Sequence, residues 1–63
     1  MDAQDVIISL VRDDFQRNGD CQETRILKLA SLLNINAERY QKIKEKLLQK
    51  GKLEMKGNNL FLV

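Results

Sequence analysis

The periodicities of this 63-residue chain predict a mainly α-helical α+β domain, three helices closed by a small β-hairpin. Three observations carry that expectation. Apolar residues recur at three- and four-residue spacing in three successive segments. Strict alternation of polar and apolar residues replaces that period at 52–56. Glycines at 19, 51 and 57 stand where the pattern changes.

The first helix is expected over about 2–17. Asp2 suits its N-cap and Asp5 suits the positive end of its dipole. Val6, Ile7, Leu10, Val11 and Phe15 form one stripe, and Asn18-Gly19 ends it. Asp20-Cys21-Gln22 is open to two readings, a short strand or a loop. Thr24 is the expected cap of a second helix over about 25–33. Its Ile26, Leu27, Leu29, Ala30, Leu32 and Leu33 cover more than half the circumference, which predicts a helix sandwiched between neighbours.

Asn34-Ile35-Asn36 interrupts the helical period. Asn34 tolerates a left-handed backbone and Asn36 is a strong N-cap. A third helix is expected over about 37–50, with Tyr40, Ile43 and Leu47 within about 60° of one another as its buried seam. Glu38, Gln41, Lys42, Glu45 and Gln49 then point outward, with Arg39 and Lys46 on one flank. Lys52-Leu53-Glu54-Met55-Lys56 reads as a half-buried strand, Gly57-Asn58-Asn59 as a hairpin turn, and 60–63 as a second strand. One domain over 1–63 accounts for the whole chain, since no proline, repeat or low-complexity stretch marks a linker.

Composition excludes several function classes. One cysteine and no histidine leave neither a disulfide framework nor a metal-ligand cluster. Cys21 reads as a small apolar or surface residue rather than a reactive thiol. Adjacent Asp13 and Asp14 diverge by about 100° on a helix and lack a third ligand, so they read as solvated surface. Ser9 and Ser31 have no base partner, and the scattered glycines make no phosphate loop. The expectation is a non-enzyme with no catalytic residues, no metal and no cofactor. No stretch approaches a membrane span and the acidic start is unlike a secretory signal, which predicts an intracellular protein, cytoplasmic or nuclear.

The net charge of +2 conceals an asymmetry: residues 1–23 hold six acidic and two basic residues, residues 24–63 nine basic and three acidic. Such segregation suggests a directed electrostatic face.

Ala30-Ser31-Leu32-Leu33-Asn34-Ile35-Asn36-Ala37-Glu38-Arg39-Tyr40-Gln41-Lys42-Ile43 resembles the helix-turn-helix of the winged helix-turn-helix superfamily. Ala30 falls on the small position where the helices cross, Asn34 on the usual turn glycine, and Tyr40 and Ile43 on inward positions of the recognition helix. Leu47-Leu48-Gln49-Lys50-Gly51-Lys52-Leu53-Glu54 resembles the exit from that helix into the wing. Gly57 to Val63 is similar to the wing tip and last strand of GntR- and MarR-type regulators.

The resemblance implies binding of double-stranded DNA in transcription regulation, replication or recombination, with residues 36–49 in the major groove and the 52–60 hairpin on the backbone. Carried over, Glu38, Gln41, Lys42 and Glu45 face base edges and Asn36, Ala37 and Arg39 sit at the groove's rim. Lys46, Lys52, Lys56, Asn58 and Asn59 meet phosphate. Gln41 suits adenine and Lys42 guanine, and cations on phosphate release counterions. Against this, Glu38 and Lys42 stand at i and i+4 and can pair with each other, and two glutamates on a reading face oppose phosphate. The alternative is a protein–protein interaction winged helix within a larger assembly. The apolar last strand, Leu60 to Val63, or the first helix would then hold a partner, a second copy included. RNA binding is a third reading, disfavoured by the scarcity of exposed aromatics.

Overall fold

Asp2 opens the first helix by accepting the backbone N–H of Gln4 on its carboxylate at 3.0 Å. The structure, a computed structural model, describes residues 2–63; Met1, part of the expected domain, lies outside them. Its elements are α1 (Ala3–Asn18), α2 (Glu23–Leu32), α3 (Ala37–Gln49), β1 (Leu53–Lys56) and β2 (Asn59–Leu62). Three helices followed by an antiparallel two-stranded hairpin make a mainly α, winged-helix-like topology. Element order agrees with the reading of the sequence, and the boundaries differ by one or two residues.

The α2–α3 turn closes by backbone chemistry that the sequence signals. Asn34 adopts φ 65°, the left-handed position expected of it. Its N–H donates to Ser31 O at 3.0 Å and that of Ile35 to Ala30 O at 2.9 Å, the paired bonds of a Schellman motif. Gly51 ends α3 the same way, at φ 72°, with Lys52 N–H donating to Leu47 O at 2.9 Å. Asn36 then caps α3 through its side-chain oxygen, which accepts from Arg39 N–H at 2.8 Å.

Thr24 is not the cap of α2. The helix starts at Glu23, and Gln22 in the capping position makes no side-chain bond. The hairpin supplies what a cap would: Glu23 N–H donates to Asn58 O at 2.9 Å. Leu60 N–H donates to Cys21 O at 2.7 Å, and Gln22 pairs with Asn59 as an isolated bridge. Cys21-Gln22 is thus a rudimentary strand on the outer side of β2, which decides between the two readings of that segment. In the hairpin, Leu53 stands opposite Leu62, Glu54 opposite Phe61, Met55 opposite Leu60 and Lys56 opposite Asn59. Gly57 has φ 58° and Asn58 a negative φ, the pattern of a II′ turn.

Ile7 and Val11 of α1, Ile26 and Ala30 of α2, and Tyr40, Ile43 and Leu47 of α3 form the core with Cys21, Ile35, Leu53 and Leu60. The expected α3 seam is therefore buried in full, and β1 buries Leu53 while exposing Glu54 and Lys56.

Several apolar residues expected inside lie outside. Leu29 is 37%, Leu33 52% and Leu32 79% exposed, so α2 is not sandwiched; α1 and α3 cover only its Ile26–Ala30 side. Phe15 is 41% exposed and meets Phe61 edge-on, with ring centroids 6.4 Å apart. Leu60 of β2 is buried while Leu62, on the same side of the strand by alternation, and Val63 beyond its end are exposed. A chain this short encloses too little volume to cover every apolar side chain it carries.

Asp14 is the opposite correction. It is buried, not solvated, because Arg25 of α2 reaches over it at 3.0 Å and Asn18 donates to it at 3.0 Å. Arg25 also holds Asp20 at 2.6 Å, fastening the end of α1 to the start of α2. The hydrogen bond to Asp20 is the main reason the Arg25 guanidinium holds its proton more tightly than usual, with Asp14 adding to it.

Candidate nucleic-acid interface

Packing fixes which side of α3 is free. Tyr40, Ile43 and Leu47 turn inward, so Ala37, Glu38, Arg39, Gln41, Lys42, Glu45 and Lys46 are all exposed, as is Asn36 at the cap. The helix is anchored at its N-terminal half by Glu23, whose carboxylate accepts from Tyr40 Oη at 3.0 Å and from Lys44 Nζ at 2.8 Å. Lys44 is 8% exposed, and its ammonium also lies 3.9 Å from the Met55 sulfur of β1. One side chain thereby ties α3 to both α2 and the hairpin.

This Glu23–Tyr40–Lys44 cluster is absent from the reading of the sequence. A signal for it exists: Lys44 stands four residues after Tyr40, on the seam side of the helix rather than the outward one. The Tyr40 hydroxyl is held well above its ordinary pKa, first by burial and then by the Glu23 carboxylate that accepts its hydrogen bond.

The hairpin runs beside α3, with β1 packed on it. Lys52, Lys56 and Asn58 are exposed and Asn59 is half-buried, since its backbone bridges to Gln22. Every residue expected at the interface is thus on the surface, on α3 or the hairpin. Glu38 and Lys42 do not pair with each other. The ion pairs among the described residues are Arg25 with Asp14, Arg25 with Asp20, and Lys44 with Glu23.

That pairing changes what the charge asymmetry means. Asp14, Asp20 and Glu23, half of the acidic residues of the N-terminal third, are spent on Arg25 and Lys44. Arg39, Lys42, Lys46, Lys50, Lys52 and Lys56 remain exposed on α3 and the hairpin, with Glu38, Glu45 and Glu54 among them. Arg39, Lys42, Lys46 and Lys50 succeed one another along one flank at helical spacing. Lys50 leans back to donate to Gln4 Oε1 on α1 at 3.1 Å.

Comparison with protein-family models, with curated proteins and with solved structures gives no match to this chain. No helix among the described residues is long and apolar enough to cross a membrane.

Cys21 sits behind this surface, fully buried under Leu60 N–H. Burial, followed by the neighbouring Asp14 carboxylate, pushes its thiol up to about 11. The thiol is consequently protonated at neutral pH and expected to resist thiol-reactive dye near pH 8, reacting in full only in denaturant. Its pKa is raised on folding, so the stability it contributes is complete below about 9 and lost as pH rises from there through about 11. Urea midpoints measured between pH 8 and 11 check the second statement; a flat profile contradicts it.

Proposed function

We propose that this chain is a winged helix-turn-helix module that binds double-stranded DNA, laying α3 in the major groove with the β1–β2 hairpin on the adjacent backbone. The observation that carries this reading is the sorting of charge. The two cations that the fold uses internally, Arg25 and Lys44, are held by three carboxylates, and of the nine that remain six are exposed on α3 and the hairpin and three, Arg12, Arg17 and Lys28, on α1 and α2. Even with Glu38, Glu45 and Glu54 among them, six cations give α3 and the hairpin a net positive charge, the sign that attracts phosphate.

Gln41, Lys42, Glu38 and Glu45 would face the base edges. Glutamate accepts from cytosine N4, glutamine pairs with adenine and lysine with guanine, so each has a chemical partner there. Arg39, Lys46, Lys52 and Lys56 would hold phosphates, and Asn58 at the turn would add a neutral hydrogen bond.

The test is anisotropy of a fluorescent duplex titrated with the protein at 50 and 200 mM salt. Neutralising about four phosphates gives a log–log slope near −3.6, an affinity loss of roughly 10²-fold between the two conditions. Absence of binding at the lower salt overturns the proposal. Binding that is insensitive to salt overturns the phosphate contacts on which it rests.

A further inference from the structure

The groove between the C-terminal half of α1 and the outer face of α2 is open, about 460 Å³, and shares no residue with the α3 and hairpin surface. Leu29 and Leu32 floor it, with Leu32 79% exposed. Arg17 and Lys28 wall it, both exposed and neither in an ion pair among the described residues. The one carboxylate in the lining, Asp14, is already occupied by Arg25 and Asn18 and is only 7% exposed. The groove is therefore apolar at its base and positive at its rim, with no free negative charge.

We propose that this groove is a docking site for an acidic, amphipathic peptide segment of another protein. Such a segment would lay bulky apolar side chains on Leu29 and Leu32 and carboxylates on Arg17 and Lys28. Charge complementarity selects that occupant. A basic segment would face two unpaired cations, while a nucleic acid backbone would satisfy the cations and leave the leucines in water. A second copy of this chain would need an acidic apolar surface, and its exposed carboxylates outside ion pairs are scattered, Asp2, Asp5 and Asp13 along α1 and its cap and Glu38, Glu45 and Glu54 among the cations of α3 and the hairpin. The proposal does not depend on DNA binding.

The experiment is selection of a displayed library of random 12-residue peptides on the immobilised protein, followed by anisotropy with one enriched, fluorescein-labelled peptide. Enrichment of sequences combining aspartate or glutamate with leucine or phenylalanine is expected. Arg17→Ala with Lys28→Ala, and separately Leu32→Ser, should each weaken that peptide at least tenfold while leaving helical circular dichroism unchanged and duplex-DNA affinity at 200 mM salt within a few-fold. Enrichment of basic peptides, no enrichment, or binding indifferent to both variants overturns the proposal. So does a concentration-dependent dimer that Leu32→Ser abolishes, which would assign the face to a second copy. Loss of duplex binding in the Arg17, Lys28 variant overturns it too, by assigning the face to nucleic acid.

Discussion

Glu23→Ala is expected to lower the stability of the domain by about 2–3 kcal/mol, a large share of the roughly 3–5 kcal/mol that a core of this size supplies. The change strands two partners at once, the Lys44 ammonium and the Tyr40 hydroxyl, which both donate to the same carboxylate oxygen. Removing one member of a fully buried pair costs about 3–5 kcal/mol. The side chains here are 19% exposed for Glu23 and 10% for Lys44, so water reaches part of the cluster and the lower figure applies. With an m value near 1 kcal/mol/M, the urea midpoint should fall by about 2–3 M. Glu23→Gln keeps an acceptor for both donors and should cost less. Adding Lys44→Met to Glu23→Ala removes the stranded charge and should recover part of the loss. A midpoint drop under about 0.5 M for Glu23→Ala would reduce the cluster to the rank of a surface ion pair.

The second large effect is on binding. Lys42→Glu with Lys46→Glu reverses two exposed charges on the flank of α3 proposed to meet DNA. Duplex affinity at 50 mM salt should fall by at least 10²-fold, because the Lys46 phosphate contact and the Lys42 base contact are lost and two repulsions gained. The salt slope should become shallower by about one unit, the share of the Lys46 contact. Folding should barely register the change. Both positions are exposed, and the two like-charge pairs that the variant makes one helical turn apart, 38 with 42 and 42 with 46, cost about 0.2–0.5 kcal/mol each. Thermal melts within about 1 kcal/mol of the parent chain would separate lost binding from lost structure. Unchanged affinity in a folded variant would remove α3 from the interface.

The sequence alone determines the local architecture. Period, caps and punctuation are short-range, so Asp2, Asn36, Asn34 and Gly51 announce helix ends that the structure reproduces to within a residue or two. The seam of α3 is legible for the same reason: a 3.6-residue period places Tyr40, Ile43 and Leu47 together whatever packs on them. The outward set on that helix follows by subtraction.

Only the tertiary structure decides which groups neutralise one another and which apolar residues are left outside. Arg25 meets Asp14 eleven positions away, Lys44 meets Glu23 twenty-one away, and Asn58 O takes the place of the Thr24 cap. No periodicity encodes such distances, because they depend on how helices cross and where the hairpin returns. The exposure of Leu29 and Leu32 belongs to the same class. A helical wheel counts apolar positions on α2, but the number of faces its neighbours cover is set by the volume that so short a chain can enclose.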